Sequence, residues 1–456
     1  MKALILVLTI SFSAKFACAQ PPQWMPIDTS YEAWGVYDLY YSQNLEMTIL
    51  CGLFQAPESP YLGGFNGSLW ISLADIQGAG IRTAVDFEDG ILIGGEPFFL
   101  NNQLKVVSYY NGDDWTFPWA FDQSITKLKW VNDTLFALGW FETVDGDSIW
   151  HVAKLVDDSW IEVFQKPDTL EWAAINDIEF FEGAYYLGGR FFYENSIKGL
   201  MKIENGTLVE ATDQLVIGPW NGVGHLNIYQ GELYISGGIP GVVNPGNGIV
   251  RWDGELLRDV GCYFYEIPQD LSYGGGVIAS MVIGDYLYAG GYFRFCDDFE
   301  LFELGRWDGN QWCSLYMMEF DQPELEFEQR LVELGHFQDQ LMIIRVFRYD
   351  ETEFDEFWLY QGGDQVETCT ELLTITEKSS IAFQLFPNPA QTHVSIQAGE
   401  LITSFRLYNS MGAVVKSAQP FSERLELDLS GLAAGIYLVE VQTEMGVGVE
   451  KLVVEK

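Results

Sequence analysis

The segment Leu287-Tyr288-Ala289-Gly290-Gly291-Tyr292-Phe293, followed by Arg306-Trp307-Asp308-Gly309-Asn310-Gln311-Trp312, decides the fold of this 456-residue chain. In both stretches, apolar and aromatic residues run up to a glycine or an Asp-Gly turn. This pattern is typical of short antiparallel strands that are joined by tight turns. A glycine at the end of the first stretch also allows a close backbone approach or a bulge. The segment therefore predicts two consecutive β-hairpins.

The same pattern recurs seven times, at spacings of 43 to 54 residues. The copies lead with Gly52, Gly95, Gly139, Gly189, Gly238, Gly291 and Arg345. Turn dipeptides before and after each copy make every unit a four-stranded antiparallel meander. Such a sheet cannot bury both of its faces alone, but sheets stacked around an axis can. We therefore predict an all-β, seven-bladed β-propeller over residues 20–375. Because the seventh copy is degenerate, six blades plus an irregular segment is the alternative.

These units resemble kelch-type or galactose-oxidase-like propeller repeats over most of residues 24–370. The likeness depends on a diglycine that is complete in four copies and on the aromatic residues beyond it. The complete diglycines are Gly94-Gly95, Gly188-Gly189, Gly237-Gly238 and Gly290-Gly291. In addition, Gln23-Trp24-Met25 resembles Gln311-Trp312-Cys313. We expect the N-terminal segment to add a strand to the last blade and so close the ring.

The charge of the chain limits its partners. It has 24 Lys+Arg against 65 Asp+Glu, which gives a net charge of −41. Nucleic acid is therefore not an expected partner, because phosphate binding needs clustered cations. Hydrophobic residues make up 48% and charged residues 20% of the chain, which is not the composition of a disordered acidic segment.

The first nineteen residues have the pattern of a signal peptide. A lysine follows Met1, Ala3–Ile10 is apolar, and Ala17-Cys18-Ala19 fits an A-x-A cleavage site. We expect residues 1–19 to engage the Sec translocon and signal peptidase. Cys18 would also suit a lipoprotein signal, but Lys15 stands where that signal needs an aliphatic residue. No later stretch is long and apolar enough to predict a transmembrane helix.

Five cysteines remain after residue 19, and an odd number leaves at least one thiol unpaired in a monomer. They are Cys51, Cys262, Cys296, Cys313 and Cys369. Export permits disulfides. We predict a pair between Cys296 and Cys313, with buried free thiols as the alternative.

The composition changes near residue 376, where tryptophan disappears and short alternating strands follow one another. The segment 376–456 therefore predicts a small Ig-like β-sandwich. It resembles the C-terminal sorting domain of type IX secretion substrates in Bacteroidetes. The residues that match the sorting signal are Pro387, Asn388, Pro389, Gly412, Gly435, Tyr437, Lys451 and Lys456. The resemblance implies recognition by the type IX outer-membrane translocon and its sortase. A permanent β-sandwich binding module is the alternative.

Motifs for catalysis are absent from the sequence, so we assign no catalytic or cofactor-binding residue. The chain has only four histidines, and no P-loop, G-x-S-x-G or sialidase-type Asp-box appears. Dense acidic loops could offer oxygen ligands to calcium, the one cofactor that we consider. The residues concerned are Asp145, Asp147, Asp297, Asp298 and Glu300. Solvated surface charge is the alternative interpretation of these loops.

Aromatic residues outside the repeated positions are the candidates for ligand binding, because loops and strand ends are where scaffolds of this kind bind. They are Trp119, Trp140, Trp150, Trp172, Trp220, Tyr263 and Tyr265. We therefore expect an extracellular or cell-surface protein that binds a glycan or a protein. A secreted polysaccharide hydrolase or lyase, and a structural part of a surface assembly, are the alternatives. An enzyme should show a cluster of polar, non-repeated residues facing one mouth of the central channel, whereas a binder could use a blade flank or loops, with no perturbed carboxylate pair.

Overall fold

A computed structural model describes most of the chain. It covers residues 23–27, 32–55, 61–78, 80–218, 221–241, 244, 246–265, 276–293, 295–296, 299–301, 303–315, 328–349, 352–362, 383–402, 404–408, 414–418, 422–443 and 446–455. The signal-peptide prediction lies outside these residues. The chain divides into two compact units, Met1–Thr370 and Glu371–Lys456, which are described separately.

The first unit holds, within the described residues, seven four-stranded antiparallel sheets. The strand that begins the chain is β1 (Gln23–Ile27). Sheet 1 contains β2 (Glu32–Ser42), β3 (Met47–Gln55), β4 (Leu62–Phe65) and β5 (Trp70–Ser72). Sheet 2 contains β6 (Ile81–Phe87), β7 (Gly90–Leu100), β8 (Gln103–Tyr110) and β9 (Trp115–Thr116). Sheet 3 contains β10 (Ile125–Val131), β11 (Thr134–Gly139), β14 (Val152–Val156) and β15 (Ser159–Glu162), with the small hairpin β12 (Thr143–Val144) and β13 (Asp147–Ser148) between them.

The remaining four sheets of this unit follow in chain order. Sheet 4 contains β16 (Leu170–Phe181), β17 (Ala184–Tyr193), β18 (Ser196–Glu204) and β19 (Thr207–Glu210). Sheet 5 contains β20 (Val223–Tyr229), β21 (Glu232–Gly237), β22 (Ile249–Trp252) and β23 (Leu257–Arg258). Sheet 6 contains β25 (Gly276–Ile283), β26 (Tyr286–Tyr292), β29 (Leu304–Trp307) and β30 (Trp312–Ser314). Sheet 7 contains β31 (Glu328–Phe337), β32 (Gln340–Tyr349), β33 (Thr352–Gly362) and β1. A small sheet of β24 (Phe264–Tyr265), β27 (Phe295–Cys296) and β28 (Phe299–Glu300) lies beside them.

The sheets are arranged in a closed ring. The first strand of each sheet contacts the first strand of the next, and the first strand of sheet 7 contacts that of sheet 1. Seven apolar clusters fill the spaces between neighbouring sheets, one for each pair. This propeller-like arrangement leaves a central channel that the seven first strands line. No described residue is helical, so the all-β prediction is confirmed.

Strand β1 closes the ring, as the sequence predicted. It pairs antiparallel with β33, so the start of the chain completes the sheet formed near residue 360. The Trp24 ring lies 5.2 Å from that of Tyr360, and its Nε1 donates to the Leu315 carbonyl at 3.0 Å. This pairing leaves the last sheet with four strands like the others.

A β-bulge interrupts the first hairpin of every sheet, and a glycine lies opposite it in six of them. The glycines are Gly52, Gly95, Gly139, Gly189, Gly237 and Gly291. A Cβ at any of them would stand 2.1–2.5 Å from a carbonyl oxygen of the first strand or of the residue just before it. The prediction that these glycines allow a close backbone approach and a bulge is therefore confirmed. In sheet 5 the residue is Gly237 rather than Gly238, and in sheet 7 it is Arg345.

The predicted disulfide is wrong, because Cys296 pairs with Cys262 and not with Cys313. The two half-cystines lie next to β24 and β27, which pair in the small three-stranded sheet. Cys313 is also disulfide-bonded. Cys51 is a buried free thiol, in agreement with the odd number of cysteines.

The second unit consists of two antiparallel sheets over one hydrophobic core. The first contains β34 (Phe383–Phe386), β35 (His393–Ile402) and β38 (Ser422–Asp428). The second contains β36 (Ser404–Tyr408), β37 (Val414–Ala418), β39 (Gly435–Thr443) and β40 (Gly446–Val454). Both sheets contribute to the core, as Val394 and Ile396 of β35 and Val439 and Val441 of β39 illustrate.

Replacing Gly189 by alanine should destabilise the first unit by about 1–3 kcal/mol, because the new methyl group would stand 2.2 Å from the Ala174 oxygen. The matched control is Gly276→Ala, where a Cβ meets nothing within 4 Å and where sheet 4 already has Ala174 at the equivalent position. Urea unfolding of the mature chain measures both. Equal stability of the two variants would contradict the steric role of the glycine.

Candidate functional site

The ligand-binding candidates divide into buried and accessible residues. Trp119 is 8% exposed, and its Nε1 donates to the Asp158 carbonyl at 3.0 Å, so it belongs to the core. Tyr263 is half-buried. Trp220 and the side chain of Tyr265 lie outside the description. Trp140, Trp150 and Trp172 remain, and all three lie in neighbouring sheets 3 and 4.

Trp140 stands at the end of β11, directly after the bulge glycine, and is 45% exposed. Its backbone N–H donates to the Ser124 carbonyl at 2.9 Å, which fixes the start of the loop. Its ring meets His151 edge-on at 5.7 Å, and His151 lies 4.1 Å from the ring of Trp150. A continuous row of three rings therefore runs along this loop.

His151 holds this row of rings in place and is uncharged at pH 7. Its backbone adopts φ = 62°, and its Nδ1 lies 3.2 Å from the Phe141 carbonyl. Burial lowers the pKa of His151, and the nearby Lys166 ammonium lowers it further. The ring is therefore neutral at pH 7, and its Nδ1–H donates to the carbonyl oxygen of Phe141.

Trp172, at the start of β16, is 38% exposed and is held from two sides. It pairs across the hairpin with Phe192, and the two rings are parallel within 3° at 6.2 Å. The Arg190 guanidinium carbon lies 5.0 Å from the centre of the Trp172 ring. These two contacts hold the ring, while 38% of the residue's surface stays accessible to solvent.

The three tryptophans lie at one end of their sheets. In sheets 3 and 4, Trp140 and Trp172 both stand at the end opposite the tight turn between the first two strands. Trp150 packs on the apolar cluster that also contains Leu170 and Phe191 of sheet 4. Trp172 and Phe192 lie on the other face of sheet 4, which faces sheet 5. We call the row formed by Trp140, His151 and Trp150 the aromatic ledge. The sequence singled out its tryptophans individually but gave no sign that they lie together.

A second cluster, which the sequence analysis missed, lines the central channel. It occupies the position that follows the bulge in each first strand, and its members are Asp38, Thr83, Lys127, Asp177, His225, Ala279 and Glu333. We call these the ring positions. They are 44 to 54 residues apart and differ in type, so no local motif identifies them. Counting back from each repeat glycine to the bulge would have found them.

Most ring positions connect one sheet to the next. Asp38 Oδ2 accepts from the backbone N–H of Ala84 at 3.2 Å, and Thr83 Oγ1 accepts from Leu128 at 3.1 Å. Asp177 Oδ2 accepts from the N–H of Leu226 at 2.8 Å. The His225 Nε2–H donates to the Ile278 carbonyl at 2.6 Å. These hydrogen bonds satisfy polar groups that burial would otherwise penalise.

Ion pairs concentrate on Asp177, whose side chain is 2% exposed. Lys127 Nζ lies 3.2 Å and Lys129 Nζ lies 2.9 Å from Asp177 Oδ1. Burial alone would raise the pKa of Asp177, but the two ammonium groups outweigh it and hold that pKa well below its ordinary value. Burial and the same lysines lower the pKa of His225 to about 4, so its ring is neutral.

The opposite side of the channel carries two carboxyl groups, Asp38 of sheet 1 and Glu333 of sheet 7. Burial, together with the charge of Asp38, raises the pKa of Glu333 to about 8. Burial also raises the pKa of Asp38, against the attraction of Lys127. The charge of Lys127 influences the ionisation of both groups as well as that of Asp177 and His225.

A shallow groove of about 410 Å³ lies at the tight-turn end of sheets 1 and 7. Its lining residues are Tyr41, Gln43, Glu46, His336, Gln338 and Asp339. The Tyr41 ring lies 5.4 Å from His336 and 5.7 Å from Phe337. His336 therefore serves this groove, whereas His225 lies in the channel and His151 in the aromatic ledge.

The residues proposed for calcium are only partly described. The Asp145 carboxylate accepts from the backbone N–H of Ala120 at 2.8 Å, and Asp147 is exposed in β13. Asp297 and Asp298 lie outside the described residues, as does the side chain of Glu300. Among described side chains, no three acidic, histidine or cysteine groups come together as metal ligands. Calcium binding here stays a prediction.

The sorting-signal residues meet at the last strand of the second unit. Asn388 Nδ2 donates to the Lys451 carbonyl at 2.6 Å, and its Oδ1 accepts from the N–H of Val453 at 2.9 Å. Tyr437, which follows Gly435 in β39, donates through its hydroxyl to Ala433 at 2.9 Å. Pro387 and Pro389 are exposed beside Asn388. Gly412 and Lys456 lie outside the description.

Residues 384–455 match the family model described as "Secretion system C-terminal sorting domain". The predicted type IX sorting domain is therefore confirmed for the tail. The chain is a type IX secretion cargo, which implies export to the cell surface or the extracellular space. No described residue belongs to a helix with the length and hydrophobicity needed to cross a membrane.

Other similar proteins share little of this sequence. Beta-agarase A of Zobellia galactanivorans is 35% identical over 71 residues, which is 15% of this chain and 13% of the agarase. PorZ of Porphyromonas gingivalis, described as an essential surface component of the type IX secretion system, is 9% identical with a TM-score of 0.32, over 92% of this chain and 59% of PorZ. Trypanosoma rangeli sialidase is 9% identical with a TM-score of 0.36, over 95% of this chain and 84% of the sialidase. None of these matches assigns an activity to this chain.

The raised pKa of Glu333 predicts a loss of stability at alkaline pH. The pKa of Glu333 is about 8 in the folded protein and has its ordinary value of 4.5 in the unfolded chain. The protonated carboxyl therefore contributes fully to the free energy of unfolding below about pH 4.5, and this contribution is lost as the pH rises through 8. Glu333→Gln should therefore match the natural protein near pH 5 and exceed its stability at pH 9 by a few kcal/mol. Thermal unfolding across this range tests it, with the exposed Glu46→Gln as control. Parallel pH curves for Glu333→Gln and the natural protein would contradict the buried carboxyl.

Asn388 should protect one particular amide of the sorting domain. In Asn388→Ala the Val453 N–H loses its side-chain acceptor, so its hydrogen exchange should accelerate by about five- to tenfold, as expected for the loss of one hydrogen bond of about 1 kcal/mol. Exchange measured by NMR or mass spectrometry on the full chain gives this rate. The control is Gln384→Ala, an exposed side chain in β34. Unchanged protection of Val453 in Asn388→Ala would show that the hydrogen bond does not hold this strand.

Proposed function

We propose that the first unit, residues 20–375, is a seven-bladed kelch-like β-propeller that binds glycan at the cell surface or outside the cell. In this proposal, residues 1–19 direct Sec-dependent export and are removed by signal peptidase. The tail, residues 376–456, is an Ig-like sandwich that the type IX translocon and its sortase recognise. Seven four-stranded sheets with closed first-strand contacts support the blade number.

The observation that carries the binding function is the exposure of two tryptophans, Trp140 in the aromatic ledge and Trp172 on the other face of sheet 4. Trp140 and Trp172 expose 45% and 38% of their surface while ring contacts on one side hold them in place. Rings fixed in this way can stack on the apolar face of a sugar with little loss of side-chain entropy. These exposed rings therefore suit a ligand with flat apolar faces, such as a sugar ring.

The glycan proposal is tested by a glycan array on the mature protein and on Trp140→Ala and Trp172→Ala. Each substitution should weaken binding roughly tenfold or more, as expected for a loss of 1–3 kcal/mol of stacking and contact energy. Trp130→Ala is the matched control, since Trp130 is 44% exposed but lies at the tight-turn end of sheet 3. Binding that survives in both variants would reject these tryptophans as the glycan site. Capture of a protein in place of any glycan would favour a protein ligand.

A secreted polysaccharide hydrolase is the second candidate, and the carboxyl pair in the channel favours it. Burial and the charge of Asp38 raise the pKa of Glu333 to about 8, so this carboxyl holds its proton at neutral pH, as a general acid must. The assignments would be Glu333 as general acid and Asp38 as base. Incubation of bound glycans with the protein, followed by analysis of chain length, separates this candidate from binding alone. Shortened chains that disappear in Glu333→Gln would support it.

A further inference from the structure

Cys313, in the last strand of sheet 6, is 4% exposed and is disulfide-bonded. We propose that its partner is Cys369 and that this second disulfide stabilises the ring at the junction of sheets 6 and 7. Three other cysteines are excluded by their own state. Cys262 and Cys296 are bonded to each other, and Cys51 is a free thiol.

Two cysteines remain as possible partners of Cys313. Cys18 lies in the segment that we expect signal peptidase to remove, so it is absent from the mature chain. Cys369 follows the end of β33 by seven residues and lies outside the residues that the structure describes. It belongs to the first unit, which ends one residue later. In the mature chain, elimination therefore assigns Cys369 to Cys313.

The side chain of Cys313 lies on the face of sheet 6 that is turned toward sheet 7. In the register of this sheet, Cys313 pairs with Arg306, and Arg306 pairs with Tyr288. Directly paired residues share a face, and Tyr288 packs in the apolar cluster between sheets 6 and 7. The preceding residue, Trp312, packs in the cluster on the other face, between sheets 5 and 6. A partner of Cys313 must therefore come from the side of sheet 7.

The end of sheet 7 lies within reach of Cys313. The ring of Tyr360, two residues before the end of β33, lies 5.2 Å from the ring of Trp24. The Trp24 Nε1–H donates to the carbonyl of Leu315, two residues beyond Cys313, at 3.0 Å. Seven residues of extended chain span up to about 23 Å. The segment from the end of β33 to Cys369 is therefore long enough to bring the second thiol back to sheet 6.

The disulfide encloses β31, β32 and β33, the three strands that sheet 7 forms from consecutive chain. In this sheet Arg345 stands in place of the bulge glycine, and β1 joins only by noncovalent contacts. A covalent loop around these strands restricts the unfolded chain and so favours the folded ring. Formation of the bond joins the two Sγ atoms and releases two protons and two electrons. A disulfide oxidant, which is reduced to two thiols, accepts them after export.

The experiment maps the disulfides of the mature, exported protein without reduction, after its free thiols have been blocked. Trypsin places the five cysteines in five different peptides, which are 20–82, 259–294, 295–306, 307–330 and 349–378. The expected result is a link between 307–330 and 349–378 that disappears on reduction. The denatured, unreduced protein should also have a single free thiol, that of Cys51. Three free thiols, or a link from 307–330 to another peptide, would overturn the proposal.

The variant Cys369→Ser tests what the bond does. It should have a second free thiol, that of Cys313, and its unfolding temperature should fall by about 5 °C, as expected for the loss of a closed loop. Thr368→Ser is the matched control in the same segment, and it should keep one free thiol and the natural unfolding temperature. A single free thiol in Cys369→Ser would show that Cys313 has another partner. Equal unfolding temperatures in the two variants would overturn the stabilising role, and if Cys369→Ser does not fold, the peptide map of the natural protein still decides the pairing.

Discussion

The close backbone approach at the bulge glycines is the constraint on which the first unit depends. At Gly139, for example, even one methyl group would stand 2.1 Å from the Ser124 oxygen. The bulge that this approach permits adds one residue to the first strand and changes the direction of the side chains that follow it. The ring position beyond the bulge, Lys127 in this sheet, then reaches the neighbouring sheet. On the partner strand, the residue after the glycine is Trp140, at the start of the aromatic ledge. The channel and the ledge are thus two consequences of one repeated backbone feature.

Sheet 7 shows how far this constraint extends. The bulge forms there as well, between Leu331 and Glu333, although Arg345 occupies the place of the glycine. Arg345 is buried, and its Nη2 lies 3.1 Å from Glu303 Oε2 of the loop before β29. A charged side chain in this place is bound to a partner from sheet 6, as burial of a guanidinium requires. The weakest copy of the sequence pattern therefore still produces the same hairpin, because the ring can close only if the last sheet matches its neighbours.

The sequence was sufficient for the strands and turns because these depend on local chemistry. Glycines, turn dipeptides and alternating apolar residues fix each hairpin within about ten residues of chain. The residues of the channel, and the contact of the aromatic ledge with sheet 4, could not be found in this way, because they join parts of the chain that are far apart in the sequence. Asp38 and Glu333 are neighbours only because the ring closes, and Trp150 meets the sheet-4 cluster only because sheets 3 and 4 are adjacent. The disulfide was mispredicted for the same reason. Proximity in sequence favoured Cys313, whereas pairing of β24 with β27 brings Cys262 to Cys296.

The two clusters differ in how much of their bonding capacity the protein already uses. In the channel, Asp177 accepts from the amides of Ile178 and Leu226 and pairs with two lysines, so little capacity remains for a ligand. Removing such a group would leave buried charges without partners, which is costly, so its retention is explained by folding alone. Trp140 and Trp172 have more capacity left: ring contacts hold each side chain, while 45% and 38% of their surfaces stay accessible. Under the proposed function, it is this accessible part, and not the saturated channel cluster, that is available to a ligand.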